Sequence, residues 1–172
     1  MKSSNKIKIL NKMKEFFHIQ AKVPHHFDSI PTINNMNATF YYFEGEREFQ
    51  DIENLWSLFE IALLYSNSKD DENKNKFIRK FNLVMAQPGI GNSKLTSALY
   101  WIDSDTFANL DSRAIWYIFE ESEISTKYIN FEVNLKQSLT ATTYLMMIEK
   151  LKLFLKDDNY LNDFIDLSYE AW

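Results

Sequence analysis

Two of the chain's three glycines and one of its three prolines fall within four consecutive residues, Pro88-Gly89-Ile90-Gly91. Glycine and proline are the residues that let a backbone turn sharply, so a chain this poor in both has committed its tightest turn to one place. The scarcity elsewhere argues against a β-sandwich, which needs many turns, and predicts a mainly α, compact helical domain. At most a short extended or β segment is expected near residues 38–43, where Thr39-Phe40-Tyr41-Tyr42-Phe43 is aromatic and has no helical period.

At 172 residues, with 45% hydrophobic and 16% aromatic content, the chain can bury a sizeable core. With no cysteine it can form neither disulfides nor thiolate metal sites, a usage that fits a cytoplasmic protein. No run of 18 apolar residues exists and the charges of the N-terminus are interleaved, so neither a membrane span nor a secretory signal is expected. The net charge of −5 is unevenly placed. Residues 1–26 hold Lys2, Lys6, Lys8, Lys12, Lys14 and Lys22 against one acid, Glu15, so they are read as a basic N-terminal helix and connection. Residues 27–172 are read as the main helical domain. His25-His26 lack a third ligand, so no metal and no cofactor are expected.

Along the chain, Ser3 or Ser4 caps a first helix through about Phe17, with Ile7, Leu10, Met13 and Phe17 as its apolar stripe. Pro24 closes that region. Asp51 to Tyr65 carries Ile52, Leu55, Trp56, Phe59, Ala62 and Leu63 at helical spacing. Residues 66–75, SNSKDDENKN, read as a polar loop, and Lys76 to Ala86 as the next helix. The turn follows, then a helix Ser93–Ile102. Asp111 is placed as the N-cap of a helix whose interior is Ile115, Ile118 and Phe119. Residues 120–139 give no clear period. Thr142 to Leu155 reads as a helix and Leu161 to Trp172 as an acidic-aromatic tail whose abrupt end points to a chain cut from something longer.

The order helix, Pro-Gly-Ile-Gly, helix resembles the hairpin of a helix-hairpin-helix element. Such a glycine-rich loop lets a DNA phosphate approach the backbone, and the next helix offers N–H groups and the positive end of its dipole. The resemblance implies a clamp of Gly89, Ile90, Gly91, Asn92, Ser93 and Lys94, with Lys76, Arg79 and Lys80 extending a basic footprint. A ligand-free helix corner would use the same glycines. The spacing from Gly89 to Asp111 resembles the helix-hairpin-helix DNA glycosylases, in which an aspartate at the head of the next helix faces a flipped nucleotide. Arg113 follows Asp111 closely and joins the implied DNA contacts. Bifunctional members carry a lysine where this chain has Ser93, so Schiff-base lyase chemistry is not implied. A plain N-cap accounts equally for Asp111.

A broader set of blocks is similar to the N-terminal region that precedes the AAA+ module in McrB-like restriction proteins. These are Ile30-Pro-Thr-Ile-Asn-Asn-Met-Asn-Ala-Thr-Phe, Asp51-Ile-Glu-Asn-Leu-Trp-Ser-Leu-Phe-Glu, Leu99-Tyr-Trp-Ile-Asp, Phe107-Ala-Asn-Leu-Asp-Ser-Arg and Leu167-Ser-Tyr-Glu-Ala-Trp. The resemblance implies a DNA-binding specificity domain of a modification-dependent, McrBC-type phage-defence system, whose partners are double-stranded DNA, a C-terminal AAA+ GTPase module and a partner nuclease. The chain itself has no Gly-x-x-x-x-Gly-Lys-[Ser/Thr] loop. Base flipping without excision would join the two resemblances, with Tyr100, Trp101, Trp116 or Tyr117 as pocket walls. Two other readings stay open: a monofunctional glycosylase using Asp111, and a helical protein-interaction module.

Overall fold

In the computed structural model the described residues are 3–23, 42 and 44–172. Pro24, His25-His26 and the expected extended segment lie outside them, Tyr42 excepted. The described residues are mainly helical, as the glycine and proline usage requires. Two compact units are present, Met1–Ala38 and Thr39–Trp172.

The first unit contains α1, Ser3–Phe16. It ends in a Schellman-type cap: Ile19 N–H reaches back to Lys14 O at 2.9 Å, and His18 takes the left-handed position at φ 53°.

The second unit begins its helices with α2, Asp51–Asn67, and α3, Asp71–Met85. Their connection is only Ser68–Asp70, so the two pack along one another. Most of the stretch expected as a loop over 66–75 is therefore helix. The local reason is Asp70: its carboxylate accepts Asn73 N–H at 2.8 Å, and Asp71 and Glu72 follow in the first turn, where negative charge is favoured. A polar composition hid a helix start. After the turn comes α4, Asn92–Ile102, which packs against α2. Next are α5, Ser112–Trp116, and a single π-turn over Tyr117–Glu121, in which Ser122 N–H reaches Tyr117 O. α6, Ile124–Tyr128, lies in the stretch that showed no period. α7 spans Ala141–Asp157 and α8 Phe164–Glu170. The acidic-aromatic stretch is thus a capped helix: Asp163 accepts from Ile165 and Asp166 N–H, while Phe164 and Leu167 are buried.

At the centre of this unit is a run of stacked rings. Tyr65 and Phe107 flank Phe77, with Phe77 5.3 Å from each, and Phe81 lies 5.4 Å from Tyr144. The Tyr144 hydroxyl is satisfied by donating to Ala108 O at 2.7 Å, and its burial raises its pKa well above the usual tyrosine value. That bond fixes the irregular stretch between α4 and α5 from below. Thr96, fully buried on α4, fixes it from the side by accepting Leu110 N–H at 3.0 Å.

Candidate functional site

The turn after α3 is built as its residues require. Ile90 N–H reaches Gln87 O at 3.2 Å, Pro88 and Gly89 are the two central residues, and Gly89 has φ +83°: a type II turn. A β-carbon on Gly89 would also meet the Tyr42 ring at 3.0 Å, so the close approach that this glycine permits is taken by Tyr42. Gly91 differs. Its backbone is extended, at φ −143° and ψ 167°, and open space surrounds it. It serves as the N-cap of α4, with no side chain capping that end.

The expected clamp residues divide into two sets. Ser93 is exposed in the first turn of α4. Asn92 instead turns inward: its amide oxygen accepts Leu139 N–H at 2.8 Å and its nitrogen donates to Gln137 O at 2.9 Å, tying the 135–139 segment to α4. Lys94 folds back, donating from Nζ to Gly89 O at 2.8 Å. The basic side chains expected on α3 share one groove. Lys76 pairs with Glu72, Lys80 donates to Asn54 Oδ1 at 3.2 Å, and Arg79 is exposed beside them in a groove with Ile61 and Leu83.

Asp111 is the N-cap of α5. Its Oδ1 accepts Arg113 N–H at 3.0 Å and Ala114 N–H at 2.9 Å, and its Oδ2 accepts Asn109 Nδ2 at 2.9 Å. Asn109 Oδ1 in turn accepts the Ser97 hydroxyl at 2.7 Å. A polar row, Ser97–Asn109–Asp111, therefore crosses from α4 to α5. It forms part of the lining of an open cleft of about 450 Å³, whose other walls include Tyr100 and Trp101 of α4, Ile165, Ser168 and Tyr169 of α8, and Trp172. That volume lies within the range of small-ligand sites. Trp101, Tyr169 and Trp172 are 83%, 83% and 79% exposed, unusual for rings of this size gathered at one cleft. The Arg113 guanidinium lies 5.7 Å from the Trp172 ring centre. Burial pushes the Tyr100 hydroxyl up, partly offset by a hydrogen bond with Ser168.

Of the four aromatics expected at a pocket wall, Tyr100 and Trp101 line this cleft; Trp116 and Tyr117 do not. Sequence reading missed Ser97, Asn109, Tyr169 and Trp172. The spacing Ser93, Ser97, Trp101 places these three on one face of α4, a signal that could have found Ser97. The α8 residues arrive through tertiary packing and leave no local trace.

Among the described residues no helix is long and apolar enough to cross a membrane, and no cluster of three acidic or histidine ligands could hold a metal. An α-helical domain with an open aromatic cleft is what fold and site define. The family model described as a domain of unknown function, DUF8425, matches residues 1–172, and the chain belongs to that family. No curated protein and no solved structure matches it.

Proposed function

We propose that the chain is a DNA-binding specificity domain of a modification-dependent, McrBC-type restriction system, acting in the cytoplasm. In this reading the exposed start of α4, at Ser93, meets a backbone phosphate, and one base leaves the duplex toward the cleft. The observation that carries it is one α4 face. Ser93 stands a single helical turn, about 6 Å along the axis, from Ser97 at the cleft floor, so a strand at the helix start reaches the cleft without crossing the protein. Motor and nuclease would be separate modules, an AAA+ GTPase and its partner. Asp111 acts here by holding Asn109 and the head of α5, which favours recognition over excision.

The test is binding of the 172-residue chain to matched duplexes, unmodified or carrying methylcytosine, hydroxymethylcytosine or methyladenine, at low and moderate salt. Salt-sensitive binding with intact DNA is expected, and a preference among the duplexes names the modification. Abasic product would assign catalysis to Asp111 and make the chain a glycosylase. No binding at low salt would leave a protein-interaction module.

A further inference from the structure

We infer that an apolar groove between α2 and α4 seats α1 from a second copy of this chain, so that two chains exchange N-terminal helices in a symmetric dimer. The inference is independent of the DNA-binding reading. The groove uses the side of α4 that carries Leu95, Leu99 and Ile102, turned away from Ser93, Ser97 and Trp101.

The lining of the groove selects the kind of occupant. It encloses about 560 Å³, and its walls, Ile52, Trp56 and Phe59 of α2 among them, contain no charged, hydroxyl or amide side chain. A small-molecule site needs a few polar groups to fix the orientation of its ligand. An amphipathic helix needs none, because it docks by its apolar stripe. Trp56 is 65% exposed and Phe59 40%, two large rings left facing water at the edge of the groove.

α1 carries the matching stripe. Ile9, Met13 and Phe16 recur at i, i+4 and i+7 and are 47%, 47% and 77% exposed. From Ile9 to Phe16 the helix rises about 10 Å. The walls run the same distance, since Ile52 to Phe59 and Leu95 to Ile102 are equal in sequence length to that stripe. Stripe and rings are both exposed in the single chain, which leaves a second chain to cover them.

Charge selects this helix over others. Lys8 and Lys12 are exposed one turn apart along an edge of the α1 stripe. Glu53 and Glu60 are exposed two turns apart along the Trp56 edge of the groove. Among the described residues none of these four has an ion-pair partner. Such rim charges set partner and orientation, while the apolar stripe supplies the affinity. Every copy brings both helix and groove, so two-fold symmetry makes the contact twice.

The experiment is sedimentation equilibrium of the full chain over a concentration series, and a reversible dimer is expected. Phe16→Glu and Trp56→Glu alter exposed side chains, so the fold is retained. Each should raise the dimer dissociation constant by about tenfold or more, because it sets an unpaired charge against apolar surface. A mixture of the two variants should associate more tightly than either alone, since one intact helix then meets one intact groove. The chain has no cysteine, so Met13→Cys and Trp56→Cys combined in one chain report on the seat of α1 by oxidation. These two positions lie near the midpoints of stripe and wall, and a covalent dimer is expected. An intrachain bridge in a monomer overturns the inference by seating α1 on its own chain. A parent that stays monomeric throughout the series, or a dimer that both variants leave unchanged, also overturns it. None of these outcomes bears on DNA binding, which is read separately.

Discussion

The Thr96 hydroxyl accepts the Leu110 N–H at 3.0 Å and donates to Asn92 O at 2.8 Å, so one buried side chain joins α4 to the irregular stretch that carries Asn109 and Asp111. A threonine hydroxyl inside a helix commonly bonds back to its own turn. Here it also satisfies a buried backbone donor from another segment. Replacing Thr96 by Val keeps the shape but leaves Leu110 N–H without its partner, a loss of about 1–3 kcal/mol. Thr96→Ser should keep most of the stability. Urea unfolding of both variants measures the difference, and a Val variant as stable as the Ser variant would remove this bond from the account of the site.

The two glycines of the turn should respond in opposite ways. Gly89→Ala forces an L-residue to φ +83° and drives its β-carbon against Tyr42, a cost of about 1–3 kcal/mol. Gly91→Ser meets open space and extended backbone at an uncapped helix start, so stability is unchanged or rises by a few tenths of a kcal/mol. Denaturant midpoints of the two variants compare them directly; similar losses in both would contradict the type II turn.

Ser93→Glu separates folding from binding. A carboxylate in the first turn of α4 complements the helix dipole and should add about 0.3–1 kcal/mol. The same charge repels phosphate, so DNA affinity at low salt should fall by about tenfold or more. Thermal melting alongside DNA titration reads both effects, and a variant that binds as well as the parent would take the start of α4 out of the interface.

Asp70 is one of several carboxyls that contribute to acid sensitivity. Its carboxyl is held below the usual carboxylate range, first by the Ser68 hydroxyl and then by Asn73 N–H. A folded-state pKa below the unfolded one contributes stability that is fully present above the unfolded value of about 3.9 and is lost as pH falls through the depressed value. Asp70→Asn can still cap α3 but carries no such titration, so its stability should fall less steeply over the acid interval below about pH 4. Melting temperatures over that interval test the slope, and parallel curves for parent and variant would exclude Asp70 as a contributor.

Much of the helical order was legible because each helix writes its own local signals. The periods of α2 and α7, the Pro-Gly turn and the Asp111 cap depend on residues within a turn or two of one another. Where those signals were mixed, reading failed: the charged 66–75 stretch hid the Asp70 cap, and the aromatic end of the chain hid α8. Tertiary structure alone decided which polar groups were already committed. Asn92 carries the composition of an exposed helix start, yet its amide is satisfied by backbone 43 to 47 residues away. It alone also brought Tyr169 and Trp172 to the cleft that Trp101 and Asp111 line. The sequence by itself determined the longer helices and the turn, which arise from short-range hydrogen bonding and periodic burial. The cleft required the packing of α8 through Phe164 and Leu167, since a hydrophobic face states only that it will be buried and not against what.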